Sequence, residues 1–259
     1  MKPIRTCLLV FATVALGLVT RAATNFESAV LTFVQHDVSV AELDLIEVDA
    51  TGRIVRRPAA LDQSVPDNQA VLTGRKSRAE ITLNDGTIAR VGQLSSFTYG
   101  KGTRLLQLKQ GSALFVVPPG LGGTSVQAGA VTAAITGTTL LAQVFADRVV
   151  IYVYEGTVEV AGLSVGAGQF ATIPNAGAPS LANFNVARGI DTAALFSKFY
   201  DAGSQQQVMR RIGPAVGRSF SRPAGVPEDV GDKTVVNPRV NTPHHPAPAK
   251  PDDNYSTDT

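Results

Sequence analysis

Arg78-Ala79-Glu80-Ile81-Thr82-Leu83-Asn84-Asp85-Gly86-Thr87-Ile88-Ala89-Arg90-Val91 holds two β-prone runs around an Asn-Asp-Gly turn. In the first run Ala79, Ile81 and Leu83 share a face, because side chains alternate with a period of two along a strand. The loop length then decides what faces them. A two-residue loop sets Arg90 on the face of Ile81, which is costly in a core. A three-residue loop, Asn84 to Gly86, sets Thr87, Ala89 and Val91 opposite Leu83, Ile81 and Ala79. Gly86 then supplies the left-handed conformation that the longer turn requires. The spacing therefore predicts the three-residue hairpin.

Outward from this hairpin the pattern repeats. Val30–Gln35, Glu42–Val48, Arg104–Lys109, Ala113–Val117, Thr138–Phe145, Val149–Tyr154 and Thr157–Val160 are short β-prone runs punctuated by Gly, Asn and Asp. No apolar pattern of period 3.6 persists between residues 29 and 173, so the segment reads as all-β, a two-layer sandwich or β-roll of short strands. Val149-Val150-Ile151-Tyr152-Val153-Tyr154 is apolar on both alternating faces. Such a strand belongs in the middle of a sheet with cover on both sides. Glu155-Gly156 turns the chain into Thr157–Val160, with Glu159 pointing outward.

The ends read differently. Lys2 and Arg5 precede the apolar run Leu8–Val19, and Thr20-Arg21-Ala22 follows with small residues where a signal peptidase reads. Residues 1–22 are therefore expected to be a signal peptide cleaved after Ala22. The apolar run falls short of the roughly 20 residues of a bilayer-spanning helix. With the leader go Cys7, the only cysteine, and three cations. Of 23 basic side chains 20 remain against 21 acidic ones, a formal balance of −1. Thiol chemistry and disulfides drop out, and no electrostatic case for nucleic acid remains. Beyond Pro174, Asp191 is placed to cap a helix from Thr192 to Ala202, ended by Gly203, with further turns near Gln207–Ile212. The helical segment is thus expected over 190–212. From 214 to 259 eight prolines and few large apolar residues predict a Pro-rich disordered tail.

The middle of the chain resembles the FecR domain, the extracytoplasmic module of bacterial transmembrane signal relays. Val71-Leu72-Thr73-Gly74 is followed by Ser77–Leu83 and by Asp85-Gly86-Thr87. Leu94-Ser95-Ser96 and Leu106–Gly111 come next, leading to Ala113–Val116. The second half carries Ala134-Ile135-Thr136-Gly137-Thr138, Glu155-Gly156-Thr157-Val158 and Gly166-Ala167-Gly168-Gln169. These elements run in order across residues 61–173, inside an all-β domain expected over 29–173. Signalling members of that family carry a cytoplasmic sigma-factor-handling segment and a membrane-spanning helix, whereas a leader opens this chain. The resemblance implies an extracytoplasmic binding or scaffolding domain without the sigma-regulator region.

Catalysis needs a base, a nucleophile or a metal in mutual reach. His36 beside Asp37 lacks a nucleophile-elbow pattern around any serine and reads as a surface histidine. Pro118-Pro119-Gly120-Leu121-Gly122-Gly123-Thr124 has the glycines of a phosphate loop but neither its lysine nor a following helix. Asp147, Glu155 and Glu159 lie on turns and edges rather than as a glycosidase pair. His244-His245 with Asp252-Asp253 could hold a divalent ion only weakly in an unanchored tail. Arg210-Arg211, Arg218 and Arg222 read as a solvated basic face. No catalytic, cofactor or metal residue is assigned. The expected function is an exported, non-catalytic FecR-like binding or scaffolding protein of the periplasm or cell envelope, taking an envelope protein or polysaccharide. A structural envelope spacer attached through its Pro-rich tail is the alternative, and a carbohydrate-active enzyme comes third.

Overall fold

The computed structural model describes residues 24–43, 56–199 and 202–216. The leader 1–22, residues 44–48 of the expected run Glu42–Val48 and nearly all of the Pro-rich tail lie outside the described residues.

Two layers of strands face one another. The first layer runs β4 (Ser64–Val65), β1 (Ala29–Gln35), β6 (Arg78–Leu83), β7 (Ile88–Val91), the second half of β9 (Leu105–Val116), β12 (Thr139–Val144), β13 (Arg148–Glu155), β16 (Gln169–Pro174) and β17 (Ser180–Asn183). The second layer runs β3 (Arg57–Pro58), β2 (Val38–Glu42), β5 (Gln69–Thr73), β8 (Ser96–Gly100), the first half of β9, β10 (Thr124–Ala128), β11 (Val131–Ile135), β14 (Thr157–Val160) and β15 (Leu163–Gly166). Every pairing is antiparallel except β9 with β10. The sheet runs past Ile173 to Asn183, so the β domain is longer than the expected 29–173.

The 78–91 hairpin takes the three-residue loop. Ala79 faces Val91 and Ile81 faces Ala89, and Gly86 sits at φ +83°. Asp85 fastens the turn by accepting from the Thr87 N–H at 2.8 Å and its hydroxyl at 3.0 Å. The expected runs Arg104–Lys109 and Ala113–Val117 prove to be one strand, β9, which crosses from the second layer to the first. It bends at Gly111 (φ +85°), where a side chain would meet Ser95, beside a register shift opposite Ser96 and Phe97. Strands that change layer do so at such bends.

The core fills the space between the layers: Leu31, Ile81, Val91, Phe115, Leu140 and Ile151 from the first meet Val40, Val71, Phe97, Leu108, Val126 and Ile135 from the second. Phe97 and Phe115 touch across the gap with ring centroids 6.0 Å apart. As the sequence predicts, β13 is central, between β12 and β16. Val149, Ile151 and Val153 enter this core while Tyr152 and Tyr154 serve a second one on the outer side.

That second core is roofed by α1 (Val186–Thr192), α2 (Ala194–Ser197) and α3 (Gln205–Val216). Here the sequence expectation needs correction. The first helix starts six residues before Thr192, capped by Asn185, whose side chain accepts from the Arg188 N–H at 2.9 Å. Asp191 therefore lies inside α1 rather than at its start. Ala193 takes an extended conformation (ψ 117°) and splits the expected continuous helix. The later turns near Gln207–Ile212 extend to Val216, so Pro214, Ala215 and Val216 belong to α3 and not to the tail.

Candidate functional site

The outer face of the first layer is closed by the chain itself. Arg90 projects from β7 onto this face, fully buried, with Glu80 from β6 beside it, also fully buried. Arg90 Nε donates to Glu80 Oε2 at 2.8 Å, one terminal nitrogen donates to the Leu195 carbonyl at 3.2 Å, and the other to Ser204 Oγ at 3.1 Å. Its guanidinium also lies 4.7 Å from the centre of the Phe199 ring. Glu80 accepts from Thr32 Oγ1 at 2.8 Å and from the Ser204 hydroxyl. Burial pushes the Arg90 pKa down, partly offset by the charge of Glu80 and its hydrogen bond; a guanidinium nonetheless stays charged in proteins. Two charges out of water stand only with such complete pairing, so this network fixes one docking position for the helices.

A second latch runs the other way. Arg211 of α3 donates from Nε to Glu155 Oε2 at 3.1 Å and from a terminal nitrogen to the Val117 carbonyl at 3.1 Å. Thr139 Oγ1 donates to the same carboxylate oxygen at 2.9 Å. Between the latches lies an aromatic layer: Tyr154 against Phe196 at 4.7 Å, Tyr152 against Phe170 at 5.0 Å, and Phe33 against Phe199 at 4.9 Å. Burial raises the Tyr152 and Tyr154 pKa values.

The outer face of the second layer is different. Since Leu106, Leu108, Val126, Ala128, Ala133 and Ile135 point into the core, alternation sends Leu105, Gln107, Ser125, Gln127, Thr132 and Ala134 outward. None of these six carries a charge; Lys109, the next outward position on β9, and Glu159, opposite Ala134 on β14, bring one of each sign to the edge of this face. Thr98, Gln107, Gln127 and Thr132 oppose one another on four successive strands. Thr98 Oγ1 donates to Gln107 Oε1 at 2.9 Å, and Gln107 Nε2 donates to Gln127 Oε1 at 2.7 Å. The amides are thereby oriented in one direction, ending on the Gln127 Nε2 beside exposed Thr132 and Ala134. No described helix roofs this face, and it is the candidate binding surface.

The residues singled out in the sequence are scattered. His36 is exposed in the β1–β2 turn at φ +61°. The 118–123 loop joins β9 to β10 and folds over Gly137 rather than opening a phosphate nest. Asp147 pairs with its neighbour Arg148 at 2.8 Å, Glu155 is engaged by Arg211, and Glu159 is exposed on β14. Arg210 donates to Gln206 at 3.3 Å. Arg218, Arg222, His244, His245, Asp252 and Asp253 lie outside the described residues. Among the described residues no three His, Cys, Asp or Glu side chains gather as metal ligands. Sequence reasoning missed Glu80 and Arg90, for which opposite charges at facing hairpin positions were the available signal. It placed Arg211 on a solvated basic face, whereas Arg211 is half-buried and bound to Glu155 and the Val117 carbonyl.

The domain class defined by these layers is a two-layer antiparallel β-fold with one strand shared between the layers. Within it, residues 69–159, from β5 into β14, match the family model described as FecR protein, and the chain carries a FecR domain there. No curated protein matches the chain. Among solved structures, two crystal structures of a candidate anti-sigma factor from Parabacteroides distasonis are similar. Each is 14% identical and aligns over 59% of this chain and 95% of that one, with TM-scores of 0.43 and 0.42. The family match includes Glu80, Glu155 and the open glutamine row, whereas the helical roof lies beyond it.

Proposed function

We propose that this protein is an exported, non-catalytic binding module whose FecR domain works outside the cytoplasm, in the periplasm or at the cell surface, and meets its partner with the open face of the second layer. The carrying observation is the asymmetry of the two layers. One outer face is occupied by the chain's own helices and spends its charged groups on them, while the other presents an oriented, uncovered polar row. The leader-like start of the chain supports export. No described helix is long and apolar enough to cross a membrane.

Blocking the face tests the reading. A Ser125→Arg/Ala134→Arg variant adds two bulky cations at outward positions of β10 and β11 without touching the core. Full-length wild-type and variant proteins are expressed in the native host, cross-linked, and recovered from envelope fractions. The wild type is expected to be recovered from those fractions in a cross-linked adduct and the variant to lose that adduct. Cytoplasmic recovery, or an adduct unchanged by the variant, overturns the proposal. Loss of the adduct on deleting residues 217–259, with no effect of the face variant, instead supports the envelope-spacer reading.

A further inference from the structure

We infer that the occupant of this open face is an uncharged, hydroxyl-rich polysaccharide chain laid across β9, β10 and β11; this rests on the binding-face reading above. Composition argues first. Protein–protein interface cores are enriched in aromatic residues, Met and Arg, and hot spots are dominated by Trp, Tyr and Arg. The outward positions here are Leu105, Gln107, Ser125, Gln127, Thr132 and Ala134, which include none of these types. The large aromatics Tyr152, Tyr154, Phe196 and Phe199 are instead consumed under the helical roof. A protein partner finds no anchor on the open face.

Charge argues second. A polyanion needs cations, and the outward positions of β9, β10, β11 and β14 supply one, Lys109, which is offset by Glu159 opposite Ala134 on β14. What the face does supply is neutral donors and acceptors, set one strand apart, about 4.8 Å. The Thr98–Gln107–Gln127 chain fixes the direction of both amides before any ligand arrives. Ordering amides in advance removes part of the entropy cost of binding. Hydroxyls along a neutral polymer can take up the Gln127 amide N–H groups and the exposed Thr132 hydroxyl, which both donates and accepts. Small Ser125 and Ala134, paired on neighbouring strands, let a chain lie flat over them. Many weak contacts on a flat row suit a long polymer better than a short sugar.

Affinity electrophoresis of the full processed chain in native gels tests this. The gels carry soluble dextran, laminarin, hydroxyethyl cellulose or, as a polyanion, polygalacturonate. Retardation is expected in at least one neutral gel and not in polygalacturonate, and it should not weaken between roughly 0.05 and 0.5 M salt, since screening acts on charges. Gln107→Ala/Gln127→Ala should weaken it about tenfold through two lost hydrogen-bonding groups. The exposed pair Gln206→Ala/Gln207→Ala on the roof should leave it unchanged, with thermal melting confirming that each variant is folded. No retardation in any neutral gel, or retardation indifferent to the Gln107/Gln127 variant, overturns the inference. An envelope adduct lost in the Ser125→Arg/Ala134→Arg variant, with no neutral-polysaccharide retardation, leaves the binding-face proposal standing and removes only the polysaccharide.

Discussion

At the scale of single residues, Arg90 concentrates the energetics of the helix-roofed face. It has three hydrogen-bond acceptors and an aromatic ring, and it has no exposed surface. Truncating it leaves the Glu80 carboxylate buried without its cation, a change that typically costs about 3–5 kcal/mol. Arg90→Ala is therefore expected to lower the urea midpoint sharply. Arg90→Met/Glu80→Leu removes both charges at similar volume and should recover most of the loss; a double variant no better than the single would contradict this account. Tyrosines give a second prediction. Burial raises the pKa values of Tyr152 and Tyr154, and burial with the nearby Asp67 and Glu27 charges raises that of Tyr99. A raised folded-state pKa contributes stability that is fully present below the unfolded value, about 10, and is lost as pH rises through the folded values. Stability by urea titration should thus decline above about pH 10, and Tyr154→Phe should make that decline shallower.

At the scale of elements, the hairpin register was legible because a one-residue slip would have turned every side chain to the wrong layer. Ala79, Ile81, Ala89 and Val91 fall inward as alternation demands. The same alternation puts Glu80 and Arg90 on the outer face, yet it cannot say that this face is covered. Their cover comes from Leu195 and Ser204, more than a hundred positions further along. The helices were legible in existence but not in their starts, because Asn185 caps an earlier turn than Asp191. The split of β9 into two runs failed for another reason: glycine usually ends a strand, and here Gly111 bends one instead. Gly111→Val brings two penalties together, a positive φ that β-branched residues resist and a Cβ 2.7 Å from the Ser95 Cα. An expected loss of about 2–4 kcal/mol in chemical unfolding follows from strain of that kind. Gly120→Ala is the control: it also has positive φ but open space around it, so only about 1 kcal/mol should be lost.

At the scale of the whole molecule, the FecR match stops at residue 159, but the folded unit does not. Before the match, Asn84 holds the backbone of Asn25, Glu27 and Ser28, and Arg104 reaches the Thr24 carbonyl while its guanidinium covers the Phe26 ring. After the match, the roof covers Ile88, Leu114, Val116, Leu141 and Tyr154, all fully or nearly fully buried. A sheet stripped of that roof exposes a contiguous apolar surface of the kind that soluble monomers avoid. It also leaves Arg90 without the Leu195 carbonyl and Ser204, although Glu80 stays beside it. A chain ending at Asn183 keeps every strand and every residue of the family match, so the family boundaries alone predict a well-behaved domain. The packing predicts otherwise: strong binding of an apolar dye, concentration-dependent association in sedimentation velocity, and loss of a sharp thermal transition. A milder variant, Arg211→Ala, removes only the second latch. Hydrogen exchange should then rise across 205–213 while β6 and β7 keep their protection, since local opening follows local contacts. A truncated chain that stays monomeric and dye-silent would mean that the roof is an accessory laid on an already complete domain.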